Sequence, residues 1–191
     1  MSIFVAGLVV FLGIHSISIV APRGRDALAS RLGEGPWKGL YSLISIASFA
    51  AMLHGYGIAR HTPVTLYLPP IGLRHIAFLL MLPVFPLLIA AYLPGRIKRL
   101  ARHPMLLAVI LWSVVHLISN GTLSDVLLFG GFLVWAVADL ISVSRRAHVR
   151  PVPGVPPTAA NDVIVVVAGL GFYVFMLMWG HVHAFGVSPL G

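Results

Sequence analysis

Along the chain, apolar runs of about 20 residues alternate with short polar stretches, the spacing set by a bilayer core roughly 30 Å thick. Six runs stand out: Ile3–Val20, Gly39–Ile58, Ile71–Tyr92, Pro104–Ser119, Leu123–Val143 and Val163–Ala184. Pro104–Ser119 is short for a span and calls for a lower start or a protein-buried position. The pattern predicts an all-α polytopic integral membrane helical bundle with about six transmembrane helices, one domain over residues 1–191. Pro94-Gly95 closes the third run, and Pro104 suits the first turn of the fourth, where its missing N–H is harmless. Pro83 and Pro86 fall inside the third run and should kink it, which membrane helices tolerate when neighbours re-satisfy the freed carbonyls. Residues 144–161, rich in proline, read as a linker.

Charge adds orientation. All but two of the 13 Lys and Arg residues lie on alternate loops. Arg23, Arg25, Arg31 and Lys38 follow the first run, Arg96, Lys98, Arg99 and Arg102 the third, and Arg145, Arg146 and Arg150 the fifth. Arg60 and Arg74 are the exceptions. This is the positive-inside distribution, which puts three basic loops in the cytoplasm and both termini outside. The first run is not read as a cleavable signal peptide, because no basic residue precedes it. The formal charge of +8 therefore reports sidedness and not nucleic acid binding. Composition agrees, with 9% charged residues against about a quarter in soluble domains, which excludes a water-soluble globule.

Cysteine is absent, which removes disulfides, thiolate metal sites and cysteine nucleophiles. Dinucleotide, phosphate-loop and HExxH motifs are missing, and the five carboxylates are too few for paired-acid hydrolysis or a two-metal site. Nine histidines remain. Ionisable groups inside spans are functional candidates by default. By depth, His15 lies in the inner half of the first span, with Gly13 and Ser18 nearby. His54, His75 and His116 lie in outer halves, and His181 and His183 at the outer end of the last. Trp112, Ser113, His116, Ser119 and Asn120 recur at helical spacing and form one polar face, either an interhelical hydrogen-bond seam or a ligand site. Asp139 reads as the counter-ion of Arg145 or Arg146. Arg74-His75 reads as interfacial anchoring, and His181-x-His183 is a weak metal signal. The segment PGRIKRLARHP (94–104) is either a solvated loop near anionic headgroups or a clamp for a phosphate or carboxylate. With imidazoles in apolar helices and no thiols, haem b held by one or two histidines is the best-fitting cofactor.

Over nearly its whole length the chain resembles the NnrU family of membrane proteins. The stretches that carry this are GLVVFLGIHSISIVAPRGRDALASRLGEGPWKGLYSLIS, LYLPPIGLRHIAFLLMLPVF, AAYLPGRIKRLARHPMLLAVILWSVVHLISNGTLSDVLLFGGFLVWA and ISVSRR. The resemblance implies a bacterial inner-membrane protein associated with nitrite and nitric oxide metabolism in denitrification. It also implies kinship with plant 15-cis-zeta-carotene isomerase, an integral membrane haem b enzyme. That relative's haem histidines fall on His15 and His116, its RHP histidine on His103, and its redox-responsive cysteine on Ser113. Arg96, Arg102 and His103 are then candidate cofactor contacts. His15 and His116 differ in depth by about 10 Å at 1.5 Å per residue, so His54 and His75 are reserve ligands. The resemblance leaves two alternatives to a haem protein serving nitric oxide metabolism. One is a haem-dependent cis-polyene isomerase. The other, from the RHP element, is a membrane methyltransferase of the isoprenylcysteine type. Expected partners are the lipid bilayer and either a hydrophobic polyene or a small gas ligand, with no nucleic acid; oligomeric state stays open.

Overall fold

The computed structural model describes residues 1–146 and 156–190. Arg150 and His148 lie outside the described residues. Among the described residues, five helical stretches are long and apolar enough to cross a membrane: Ser2–Val20, Glu34–Ala59, Leu73–Ala90, Leu123–Ser144 and Ala159–Phe185. This is the make-up of an integral membrane protein. The sixth apolar helix, Pro104–Ser119, has 16 residues, about 24 Å at 1.5 Å per residue, and falls short of the spanning length. Among the described residues there is no strand, only an isolated antiparallel bridge between Thr65 and Thr122. The helices sort into two units, each described by itself.

The first unit comprises α1 (Ser2–Val20), α2 (Pro22–Leu32), α3 (Glu34–Ala59) and α8 (Leu123–Ser144). In lipid no hydrophobic force draws helices together, so close backbone approach at small residues must do it. The α1–α3 seam works this way. A Cβ at Gly7 would meet the backbone of Met52 and Ser48, and one at Gly55 would strike the backbone of Phe4. Around these glycines Phe4 and Met52 are almost fully buried. α8 lies on the same helix, with Gly131 facing Leu12 and Leu8. The basic stretch after α1 is helical, where a plain loop was expected. Pro22 occupies the first turn of α2, and Gly33, at φ 86°, breaks the chain before α3.

The other end of the first unit is tied by polar groups. Thr122 and Asp125 form a reciprocal capping box at the start of α8. The Thr122 hydroxyl donates to Asp125 Oδ2 at 2.6 Å, and the Tyr56 hydroxyl of α3 donates to Oδ1. The segment that follows α3 is drawn over this cap, since Leu66 N donates to Gly121 O at 2.8 Å and Leu123 N to Val64 O at 2.8 Å. Tyr67 donates its hydroxyl to Asn120 O at 2.7 Å. Partial burial first, and the Asp125 carboxylate second, raise the phenol above its usual pKa.

The second unit comprises α4 (Leu73–Met81), α5 (Val84–Ala90), α6 (Arg96–Ala101), α7 (Pro104–Ser119), α9 (Ala159–Phe175), a π-helical turn Met176–Gly180 and α10 (His181–Phe185). The kink expected from Pro83 is present as the break between α4 and α5. Leu82 N turns to Leu79 O at 3.3 Å and so abandons the Phe78 carbonyl. That orphan accepts the Tyr173 hydroxyl of α9 at 3.2 Å, a neighbouring helix re-satisfying the freed group. α9 also packs its Gly169 directly on Pro86. It begins at Ala159, so residues 159–161 of the expected linker are helical. The π turn was not legible in the sequence. Arg74, expected as an interfacial anchor, donates from Nε to Pro189 O at 3.1 Å and lies over the Phe78 ring.

The α1–α3 seam yields a paired prediction. Gly55→Val forces two backbones apart and should lower unfolding stability by about 3 kcal/mol or more. Gly57→Ala, at a position with nothing within 4 Å of the new carbon, should raise it by up to about 1 kcal/mol. Thermal melting in detergent checks both, and equal effects at the two glycines would contradict the seam.

Candidate functional site

His15 stands on α1 between α3 and α8. Its Nδ1 lies 2.7 Å from the carbonyl of Phe11 one turn back. A carbonyl only accepts, so Nδ1 carries a proton, and in the neutral tautomer the lone pair is on Nε2. The ring is enclosed by aromatics: Phe11 at 4.2 Å between centroids, Tyr41 at 5.3 Å, and Trp135 edge-on at 6.0 Å. The indole N–H of Trp135 is buried without a hydrogen-bond partner. One turn further along α8, Asp139 lies 3.7 Å from Arg146, the pairing the sequence favoured. The same guanidinium donates to Ser18 O at 2.7 Å and Ser142 Oγ at 2.8 Å, satisfying a carbonyl at the exposed end of α1.

His116, on α7 of the second unit, repeats the local arrangement. Its Nδ1 is 2.8 Å from Trp112 O, with the Trp112 ring 5.1 Å away. Ser113 is wholly buried and its hydroxyl has no partner. Ser16 and Ser48, by contrast, turn back to Leu12 O and Ile44 O, both at 2.7 Å, while the Ser45 hydroxyl of α3 is likewise buried without a partner. Orphaned polar atoms in an apolar interior are costly and call for a ligand or water. One lies in the surroundings of each histidine. His183 shares the bond pattern, with Nδ1 2.8 Å from Trp179 O, but it is exposed. His54 and His75 are also exposed. Among the described residues no cluster of three or more His or carboxylate side chains could hold a metal ion.

The PGRIKRLARHP segment folds as α6 followed by a tight turn. The Asp162 carboxylate of α9 accepts from Arg96 N at 2.9 Å and Ile97 N at 3.0 Å. Gly95 lets the carboxylate approach this closely, since a Cβ there would meet it and push it from its two amides. Asn161 donates its amide to Pro94 O at 2.8 Å and Pro156 O at 3.0 Å. The first amides of α6 are thus taken by protein. Arg96 and Arg102 keep their side chains exposed, and His103 is half-buried. Arg102 carries a positive φ of 58° with ψ −54°, and His103 N donates to Ala101 O at 2.6 Å. That is a γ-turn of the rare, strained hand.

A family model described as NnrU protein matches residues 3–189. The chain belongs to the NnrU protein family. That family is linked to denitrification gene clusters. Searches of curated proteins and of solved structures gave no match. In this NnrU chain, the two histidines singled out by resemblance lie on separate units, each with its Nδ1 directed to a backbone carbonyl. Sequence reasoning did not find Tyr41 and Trp135 beside His15, nor Asn161 and Asp162 holding the RHP segment. The only signal available for Trp135 was its position one turn before Asp139, an ionisable residue inside a span.

The strained turn gives this NnrU chain a clear test. Glycine adopts positive φ without steric cost, so Arg102→Gly should raise stability by about 1 kcal/mol. Arg102→Ala retains the strain and should not. A melting comparison in detergent, with glycine no better than alanine, would contradict the γ-turn.

Proposed function

We propose that this chain is a haem b-binding integral protein of the bacterial inner membrane that serves nitric oxide or nitrite metabolism, with His15 and His116 as haem ligands. The observation that carries this reading is their common preparation. In each, the backbone carbonyl four residues back holds the proton on Nδ1, fixing the ring orientation and leaving Nε2 as the donor. Second-shell bonds of this kind orient a metal-binding imidazole and raise its basicity. The aromatic enclosure of His15 and the unpartnered Trp135 N–H suit a flat, apolar macrocycle with polar edges.

Bound haem would supply one-electron redox chemistry, with His15 and His116 as the residues that would hold it. The chain's own part is to hold two oriented imidazoles, exclude water with Phe11, Tyr41 and Trp135, and pair Asp139 with Arg146. A polyene isomerase that relies on a thiolate has no counterpart here, because Ser113 carries a hydroxyl. A methyltransferase holding its cofactor on the amides of the RHP segment meets Asp162 already bound there.

Detergent-purified protein from haem-supplemented cells should show sharp reduced-state absorption bands. His15→Ala and His116→Ala should each abolish or shift these bands, with haem retention falling at least about tenfold, as when a coordination partner is lost. Colourless wild-type protein would overturn the reading.

The same proposal places the three basic loops in the cytoplasm and both termini outside, with Pro104–Ser119 as a sixth crossing. The absence of cysteine makes this directly testable. An impermeant thiol reagent applied to intact spheroplasts should label Gly72→Cys and leave Gly24→Cys unlabelled until the membrane is opened. The reverse pattern would invert the topology.

A further inference from the structure

At the basic end of the first unit, α1, α2 and α3 enclose a cleft of about 290 Å³. Its apolar wall is Ile14 and Ile17 of α1, and its polar wall carries Arg25, Lys38 and Tyr41. Trp37 is buried in the wall, with the Arg25 guanidinium 5.8 Å from its ring centroid. We infer that this cleft binds the phosphate-bearing headgroup of a single anionic phospholipid, with Arg25 and Lys38 as its cationic contacts.

Several features converge on that occupant. Arginine presents a planar fork suited to phosphate oxygens, and lysine adds a mobile point charge. Both already have carboxylate neighbours, Asp26 at 3.1 Å from Arg25 and Glu34 at 2.9 Å from Lys38. These partners are well exposed, with 56% and 82% of their side-chain surface accessible, so the ion pairs are weak and readily yield to a phosphate. The cavity is sized for a headgroup and not for acyl chains. Beyond it, α3 presents Leu40, Leu43 and Ile46 at 44%, 67% and 69% exposure. This is an apolar track along which tails can continue into the bilayer. Trp37 and Tyr41 are side chains of the kind that sit at the headgroup level. A free phosphate would share the cationic contacts but leave the Ile14–Ile17 wall and the leucine track unused. The inference does not rest on haem, and haem-free protein serves for its test.

Full-length protein is reconstituted into vesicles of phosphatidylcholine with or without phosphatidylglycerol, released in mild detergent, and analysed by native mass spectrometry. Wild type should retain one phosphatidylglycerol. Arg25→Gln and Lys38→Gln should each reduce retention roughly fivefold, the scale of one cation near an anionic lipid. Ser42→Trp, which fills the cleft without altering charge, should abolish retention. Arg31→Gln, on α2 but outside the cleft, should leave it unchanged, and thermal melting confirms that each variant is folded. Equal losses for Arg31→Gln and Arg25→Gln would mean diffuse surface attraction and overturn the site. So would retention in Ser42→Trp, or displacement of the lipid by inorganic phosphate at concentrations that leave Arg31→Gln and wild type alike.

Discussion

The contact on which the first unit depends is the meeting of two backbones, α1 and α3, at Gly7 and Gly55. In a hydrocarbon solvent the usual gain from burying apolar side chains is absent, so helix pairing relies on dense packing and hydrogen bonds. Removing side-chain bulk at two positions brings the axes together. With α1 fixed against α3 and α8, His15 on α1 comes to lie beside Tyr41 and Trp135. The lipid-facing surface can remain rich in Val, Leu and Ile because it carries no part of that geometry. The second unit applies a related rule where Gly169 packs on Pro86, and the carbonyl of Phe78 freed at the Pro83 break is taken up by Tyr173.

Carboxylates in both units are handled by a common logic: each of three receives partners close at hand. Asp125 is held by Tyr56 and Thr122, Asp139 by Arg146, and Asp162 by two backbone amides. Against that thoroughness, the unpartnered Trp135 indole and the Ser113 and Ser45 hydroxyls are conspicuous. Trp135 and Ser113 fall near His15 and His116, two of the histidines whose Nδ1 meets a backbone carbonyl, which is why those surroundings attract a ligand.

Much of the fold was written in the hydrophobic pattern, because spanning length and apolar runs are dictated by the bilayer alone. The proline kink and the Asp139–Arg146 pair followed from local chemistry. What escaped was non-local. α2 looked like a loop, since its short, charged sequence lacks an apolar run. Trp135 and Tyr41 read as ordinary aromatics, because nothing in a linear sequence brings residues 15, 41 and 135 together. Asp162 was hidden for the same reason, and the strained φ at Arg102 has no sequence marker, since arginine is not a residue that seeks it.

The Asp162 clamp also sets an order of events during synthesis. Arg96 and its carboxylate partner are separated by 66 residues, and membrane chains emerge from the N-terminus onward. While the ribosome is still making the stretch in between, the amides at 96 and 97 have only water or lipid headgroups to bond. The RHP-bearing segment is therefore fastened late, when the last long helix arrives. A chain truncated before residue 162 would retain its first unit's seam yet leave that segment unlatched, which makes the final helix a closing element for an arginine-rich turn made long before it.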